Sequence, residues 1–107
     1  MFNAAFPGRL SPGDPDLDER QRAVFTALVE LHGRAAGPVG SDRIARWGRR
    51  GISPAAIRGT LTELEGRGLV ERARAGAARM PSPRGYEFYV RALLSPSRLP
   101  DSILSLI

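Results

Sequence analysis

Sixteen arginines and no lysine supply every Lys or Arg position of this chain, and their placement is the first chemistry the sequence offers. Arg43, Arg46, Arg49, Arg50 and Arg58 fall in a stretch free of acidic residues. Arg67, Arg72, Arg74, Arg79 and Arg84 follow, with Glu71 the one acid among them. A guanidinium is permanently charged, planar and forked, so it pairs with phosphate oxygens or with the O6/N7 edge of guanine. Two such runs flanking one helix form an electrostatic footprint for nucleic acid. A GC-rich coding sequence accounts for Arg in place of Lys. It does not account for the distribution, since residues 1–19 carry Asp14, Asp16, Asp18 and Glu19 against Arg9 alone.

Other chemistries lack their parts. With no Cys and one His, His32, neither a disulfide nor a metal site is available, and no cofactor is expected. No acid pair stands with a His or Ser in a nucleophile–base arrangement, so an enzyme is not expected. Glu63 and Glu65 read as ion-pair partners of Arg67 on their own helix. Trp47 reads as a core-edge residue, because stacking on single-stranded nucleic acid wants several aromatics in a row.

The helix that must position the central arginine is sharply marked. Ser53 is a good N-cap and Pro54 suits the first helical position, where its missing N–H would be unpaired anyway. Ile57, Leu61 and Leu64 form one apolar stripe. Ala55, Gly59 and Thr62 lie opposite, with Arg58 at their edge. Such small residues make a poor solvent face for a helix, but they suit a face that slides close to another surface, such as the floor of a DNA major groove.

The rest of the chain supplies the frame. At 107 residues with a formal net charge of +5 and a pI near 11.2, it is one domain with a modest core. Residues 1–16 are a Pro/Gly-rich leader. Asp18 and Gln21 predict a capped first helix with Val24, Leu28 and Leu31 facing inward, ended by Gly37-Pro38. Ser41 is expected to cap a short second helix containing Ile44, Ala45 and Trp47, with a turn at Gly48 to Gly51. After the Ser53 helix, Gly68 reads as a C-cap, Leu69 to Arg72 and Arg79-Met80 as a hairpin, and Tyr86, Tyr89, Val90 and Leu93 as the buried stripe of a last helix. The fold expected is mainly α with a small β-hairpin: a winged helix–turn–helix with a three-helix core, a wing and an extra C-terminal helix over residues 17–94.

Particular residues then point to a known family: Leu17 with Glu19-Arg20-Gln21-Arg22, Gly37 to Ser41, Ser53-Pro54-Ala55 with Ile57-Arg58, and Leu64-Glu65 with Gly68-Leu69. Arg79 with Pro81-Ser82, and Gly85-Tyr86 with Phe88-Tyr89-Val90, continue the series. In these motifs residues 17–94 resemble the N-terminal DNA-binding domain of the bacterial heat-inducible transcription repressors called HrcA. The resemblance implies a repressor that binds an inverted-repeat operator upstream of chaperone genes as a dimer, and that the chaperonin system keeps active. Two positions differ from the family pattern: Gly59 stands where Asn is usual, and Arg74-Ala75-Gly76-Ala77-Ala78 replaces a wing tip that usually reads His-Thr-Ser-Ala-Gly. Family members also continue into a much larger region.

The expected function is therefore sequence-specific binding of double-stranded DNA, as the operator-binding domain of a heat-shock repressor. The alternatives are a winged-helix protein-interaction module and a stand-alone regulator of another regulon. The expected contacts are Ser41, Arg43, Arg49, Arg50, Ser53, Ala55, Arg58, Gly59, Thr62, Arg72, Arg74 and Arg79. Residues 95–107 read as a loop and an apolar tail, with Ile103, Leu104, Leu106 and Ile107 as the severed start of a further region. A second copy of the chain is a partner on an inverted repeat, although the isolated chain is expected to be monomeric or weakly dimeric. With neither a signal pattern nor a membrane-length apolar run, the expected location is the cytoplasm.

Overall fold

A computed structural model of the protein describes residues 14–47, 51–74 and 76–93. The first helix, α1 (Glu19–Ala35), starts through a reciprocal capping box: Asp18 Oδ1 accepts from the Gln21 N–H at 2.7 Å and Gln21 Oε1 accepts from the Asp18 N–H at 3.1 Å. It stops at Ala36, which takes the left-handed conformation (φ 56°) and donates its N–H to the His32 carbonyl at 2.8 Å. One residue before the expected Gly-Pro break, the chain has already turned.

The second helix, α2 (Ser41–Trp47), begins one residue earlier than a Ser41 cap requires. The carbonyl of Gly40 accepts from Ile44 N–H at 3.2 Å, so Gly40 holds the cap position and Ser41 is the first helical residue. The third helix, α3 (Pro54–Gly66), has the expected Ser53 cap, whose hydroxyl accepts from Ala56 N–H at 3.2 Å. It ends in a Schellman turn. Leu69 N–H donates to Leu64 C=O at 3.1 Å and Gly68 N–H to Glu65 C=O at 3.0 Å, with Gly68 at φ 79°.

Two short antiparallel strands follow, β1 (Val70–Arg72) and β2 (Arg79–Pro81), in the register Val70↔Pro81, Glu71↔Met80, Arg72↔Arg79. Val39 adds a bridge on the far side of β2, exchanging both backbone hydrogen bonds with Arg79 at 2.7 and 2.9 Å. The hairpin is thereby tied to the segment that enters α2. The fourth helix, α4 (Pro83–Phe88), is capped by Ser82 and runs into a π-helical turn at Tyr89–Leu93.

One apolar cluster holds these elements together. Val24, Phe25, Leu28 and Leu31 of α1 meet Ile44 of α2, Ile57, Leu61 and Leu64 of α3, and Leu69 and Val70 of the wing. Phe25 lies at its centre, 6.4 Å from the Phe88 ring and 6.3 Å edge-on to Tyr89. The stripes expected on the first and third helices are buried as a core; of the inward residues expected on the second, Ile44 is buried, Ala45 is half-buried and Trp47 is exposed. The stripe expected on the last helix is corrected: Gly85, Phe88, Tyr89 and Ala92 face inward, while Tyr86 and Val90 are 53% and 45% exposed. The pattern still runs i, i+3, i+4, i+7, but it starts at Gly85, because this helix packs its glycine against the backbone of Leu69.

Trp47, expected at the core edge, is instead 38% exposed, and the Arg34 guanidinium lies 4.7 Å from its ring centre. The described end of the leader is anchored too. Arg91 grips Asp14 with two hydrogen bonds of 2.8 and 2.9 Å, and Arg67 Nη1 donates to the Asp16 carbonyl at 3.3 Å. Hydrogen bonds that Arg91 donates to Asp14, then to Glu87, raise its pKa above the ordinary value. The architecture is mainly helical with one small antiparallel hairpin, the winged-helix plan.

Candidate nucleic-acid interface

Successive residues of a helix are about 100° apart, so the buried stripe of α3 dictates what the opposite side presents. Ala55, Gly59 and Thr62 emerge there, all exposed, and a Cβ added at Gly59 would meet open space. Thr62 turns its hydroxyl back to the Arg58 carbonyl at 3.1 Å. On the buried side Thr60 does the same to Ala56 C=O at 3.0 Å and so enters the core without an unpaired hydroxyl.

Arg58 is the long side chain at the edge of this face. It is exposed, and its Nη1 donates to the Ser41 hydroxyl at 3.4 Å, linking the first residue of α2 to the first turns of α3. Arg43 is exposed on α2, and Ser53 is exposed at the start of α3. Arg49 and Arg50, expected in the turn between these helices, lie outside the described residues.

The wing joins α3 through Glu65. This residue stands seven positions after Arg58, nearly two full turns, and therefore on the same edge of the helix. Its Oε1 lies 3.7 Å from Arg72 Nη2 and 3.3 Å from Arg79 Nε. Arg72 is consequently placed off the same helix edge as Arg58, and its side chain remains 53% exposed. Arg74 is exposed in the tip beyond it.

Arg79 behaves otherwise, and its expected surface contact is corrected. The residue is 4% exposed, with its guanidinium held between Glu65 and the Ala77 carbonyl. A charge this deep is tolerated because it is paired. It braces the wing from inside and presents no surface to a ligand. The local pairing expected for Glu63 and Glu65 with Arg67 is also redistributed. Glu63 accepts from Gln21 Nε2 at 3.1 Å, tying α3 to α1, while Glu65 serves the wing. The spacing of Glu65 from Arg67 argues against the local pair: at i, i+2 the two side chains cannot face each other.

Among the described residues, no group of three or more His, Cys, Asp or Glu is placed to hold a metal ion, and no helix is long and apolar enough to cross a membrane. His32 sits in the last turn of α1 with Nδ1 2.8 Å from the Gly37 carbonyl.

No family model matches the chain. The heat-inducible transcription repressor HrcA of Desulfitobacterium hafniense is 41% identical over 91 residues, covering 85% of this chain and 26% of that protein. The repressor of the same name from Shouchella clausii is 45% identical over 83 residues, covering 78% of this chain and 24% of that protein. A crystal structure described as that of a hypothetical protein superposes with a TM-score of 0.65 at 32% identity, over 68% of this chain and 24% of that one. The chain thus spans about a quarter of the length of the curated relatives it matches. In sequence, the chain is homologous to the N-terminal part of the heat-inducible transcription repressors called HrcA.

Proposed function

We propose that this chain binds double-stranded DNA sequence-specifically, as the operator-binding unit of a repressor of heat-shock genes. The observation that carries the reading is the outer face of α3, where Ala55, Gly59 and Thr62 are exposed side by side with Arg58 at their edge. A glycine inside an exposed helix costs about 1 kcal/mol relative to Ala, and a face of small residues admits close approach to base edges. In this reading α3 lies in a major groove and Arg58 reaches a guanine O6/N7 edge. Arg43, Arg72 and Arg74 meet phosphates, and the hydroxyls of Ser41 and Ser53 lie beside them. Arg49 and Arg50 stay in the contact set on charge alone.

An inverted-repeat operator needs two recognition helices about 34 Å apart, so two copies act together on it. The names of the relatives support the heat-shock assignment, and the Arg-rich surface supports the nucleic-acid one. Titration of a labelled duplex with the chain at several salt concentrations tests the reading. Affinity is expected to fall by about 0.9 log units per log unit of salt for each phosphate neutralised. Salt-independent binding, or none to any duplex at low salt, removes it.

A further inference from the structure

The base of the wing is built around a buried charge. Arg79 lies on β2, its backbone paired in both directions with Val39, its Nε 3.3 Å from Glu65 on α3 and its Nη1 donating to Ala77 in the wing turn. One residue therefore ties together the segment entering α2, the third helix and the tip of the hairpin. The carboxylate of Glu65 is shared with Arg72, the cross-strand neighbour of Arg79.

Stability alone does not call for this arrangement. A buried arginine paired with a half-buried carboxylate contributes no more than well-packed apolar residues of the same volume, and often less, because the arginine charge must be desolvated. An ion pair differs from an apolar contact in choosing its partner: Arg79 Nε makes no hydrogen bond, and the Glu65 carboxylate 3.3 Å away is the charge it faces. A two-stranded hairpin is marginal by itself, so its angle to the rest of the fold must be imposed from outside. Contacts at the wing base include the Val39 bridge, the buried Val70, the backbone and Ser82 hydrogen bonds around Gly68 and Leu69, and the Glu65 carboxylate. Among the described residues, the Glu65 carboxylate is the side-chain group that reaches from the Arg58 edge of α3 to both strands of the wing, beside the backbone bonds of the Schellman turn.

From this geometry we infer that Glu65 is a positioning residue for DNA binding. Through the buried Arg79 it sets the angle of the wing to α3, so that Arg72 and Arg74 reach the phosphate backbone while Arg58 is in the groove. The inference rests on the DNA-binding reading above. Glu65 itself touches no DNA, and as an acid beside the duplex it would weaken binding if it acted only through its charge. Its removal therefore has opposite expected signs under the two views. As a mere like charge, its loss raises affinity; as a positioning group, its loss lowers it.

A double-mutant cycle read by fluorescence anisotropy on a labelled GC-rich duplex decides the matter, with thermal unfolding followed alongside. In the wild-type background Arg74→Ala is expected to lower the salt slope by about one unit. Glu65→Gln is expected to weaken duplex binding and lower the slope, and Arg74→Ala added to it is expected to change little further. Residues without shared contacts ordinarily act additively, so this loss of additivity reports wing placement rather than general stability. Should the lone Arg79 charge unfold Glu65→Gln, the paired variant Glu65→Leu/Arg79→Met leaves no buried charge alone and takes its place with the same expected outcomes. Full additivity, or tighter binding by Glu65→Gln, overturns the inference while a steep wild-type slope leaves the DNA reading intact. A wild-type chain that binds no duplex overturns both.

Discussion

Gly85 of α4 rests directly on the backbone of Leu69: a Cβ at position 85 would fall 2.8 Å from the Leu69 carbonyl carbon and 3.0 Å from its Cα. The contact closes the wing strand against the last helix, and Ser82 reinforces it from the cap. Because the obstacle is backbone rather than a flexible side chain, it cannot step aside. Gly85→Ala is therefore expected to destabilise the fold by about 1–3 kcal/mol, the usual range for forced overpacking, as read from the midpoint of urea unfolding. An unchanged midpoint would mean that α4 does not pack this closely.

That contact also shows where sequence reading stops. The Asp18–Gln21 box, the Ser53-Pro54 start and the Gly68 turn involve partners within a few positions, so local chemistry specifies them. The face of α4 depends instead on a partner 16 positions back, Leu69 against Gly85. Residue types around Tyr86 suit two neighbouring stripes equally well, and only the packing selects between them. Arg79 is a similar case. Arginine is ordinarily a surface residue, and its burial here requires Glu65, which reaches it only once the hairpin has folded against α3. The exposed face of α3 was legible because a helix with one buried stripe leaves no choice about the opposite side.

Ser82 carries two jobs through one hydroxyl, accepting from Gly85 N–H at 2.9 Å and donating to the Gly68 carbonyl at 2.7 Å. The residue is buried, so water does not replace either bond freely. Ser82→Ala removes the cap of α4 and leaves the Gly68 carbonyl without this donor. A loss of about 1–2 kcal/mol is expected, measured by the same unfolding midpoint. Ser82→Thr, which keeps the hydroxyl, is expected to recover part of it.

Gly59 offers the reverse test to Gly85. It lies inside α3, and a Cβ there meets nothing within 4 Å. Gly59→Ala is accordingly expected to stabilise the free chain by about 1 kcal/mol through helix propensity. Gly59→Gln is expected to fold as well, since the position is open to solvent, yet to weaken duplex binding if α3 approaches base edges. Unfolding midpoints and duplex titration separate the two effects. Undiminished affinity for Gly59→Gln would mean that this face does not dock.

Arg58 and Arg74 differ in what surrounds them, and hence in what their loss should do. Arg58 projects from the edge of a capped, core-packed helix and is steadied by the Ser41 hydroxyl at 3.4 Å. A guanidinium held on a rigid element can select one base edge, and a bidentate contact to guanine is worth about 1–3 kcal/mol of discrimination. Arg74 is exposed in the wing tip, where a charge reaches phosphate without reading sequence. Arg58→Ala is expected to change which base pairs are preferred in a duplex selection experiment. Arg74→Ala should instead weaken all duplexes alike and reduce the salt slope by about one unit. Ser41→Ala, which frees the Arg58 side chain without removing it, is expected to blur the preference by less than Arg58→Ala does. If Arg58→Ala leaves the preferred sequence intact while Arg74→Ala alters it, base reading resides in the wing and α3 serves only to position the chain on the backbone.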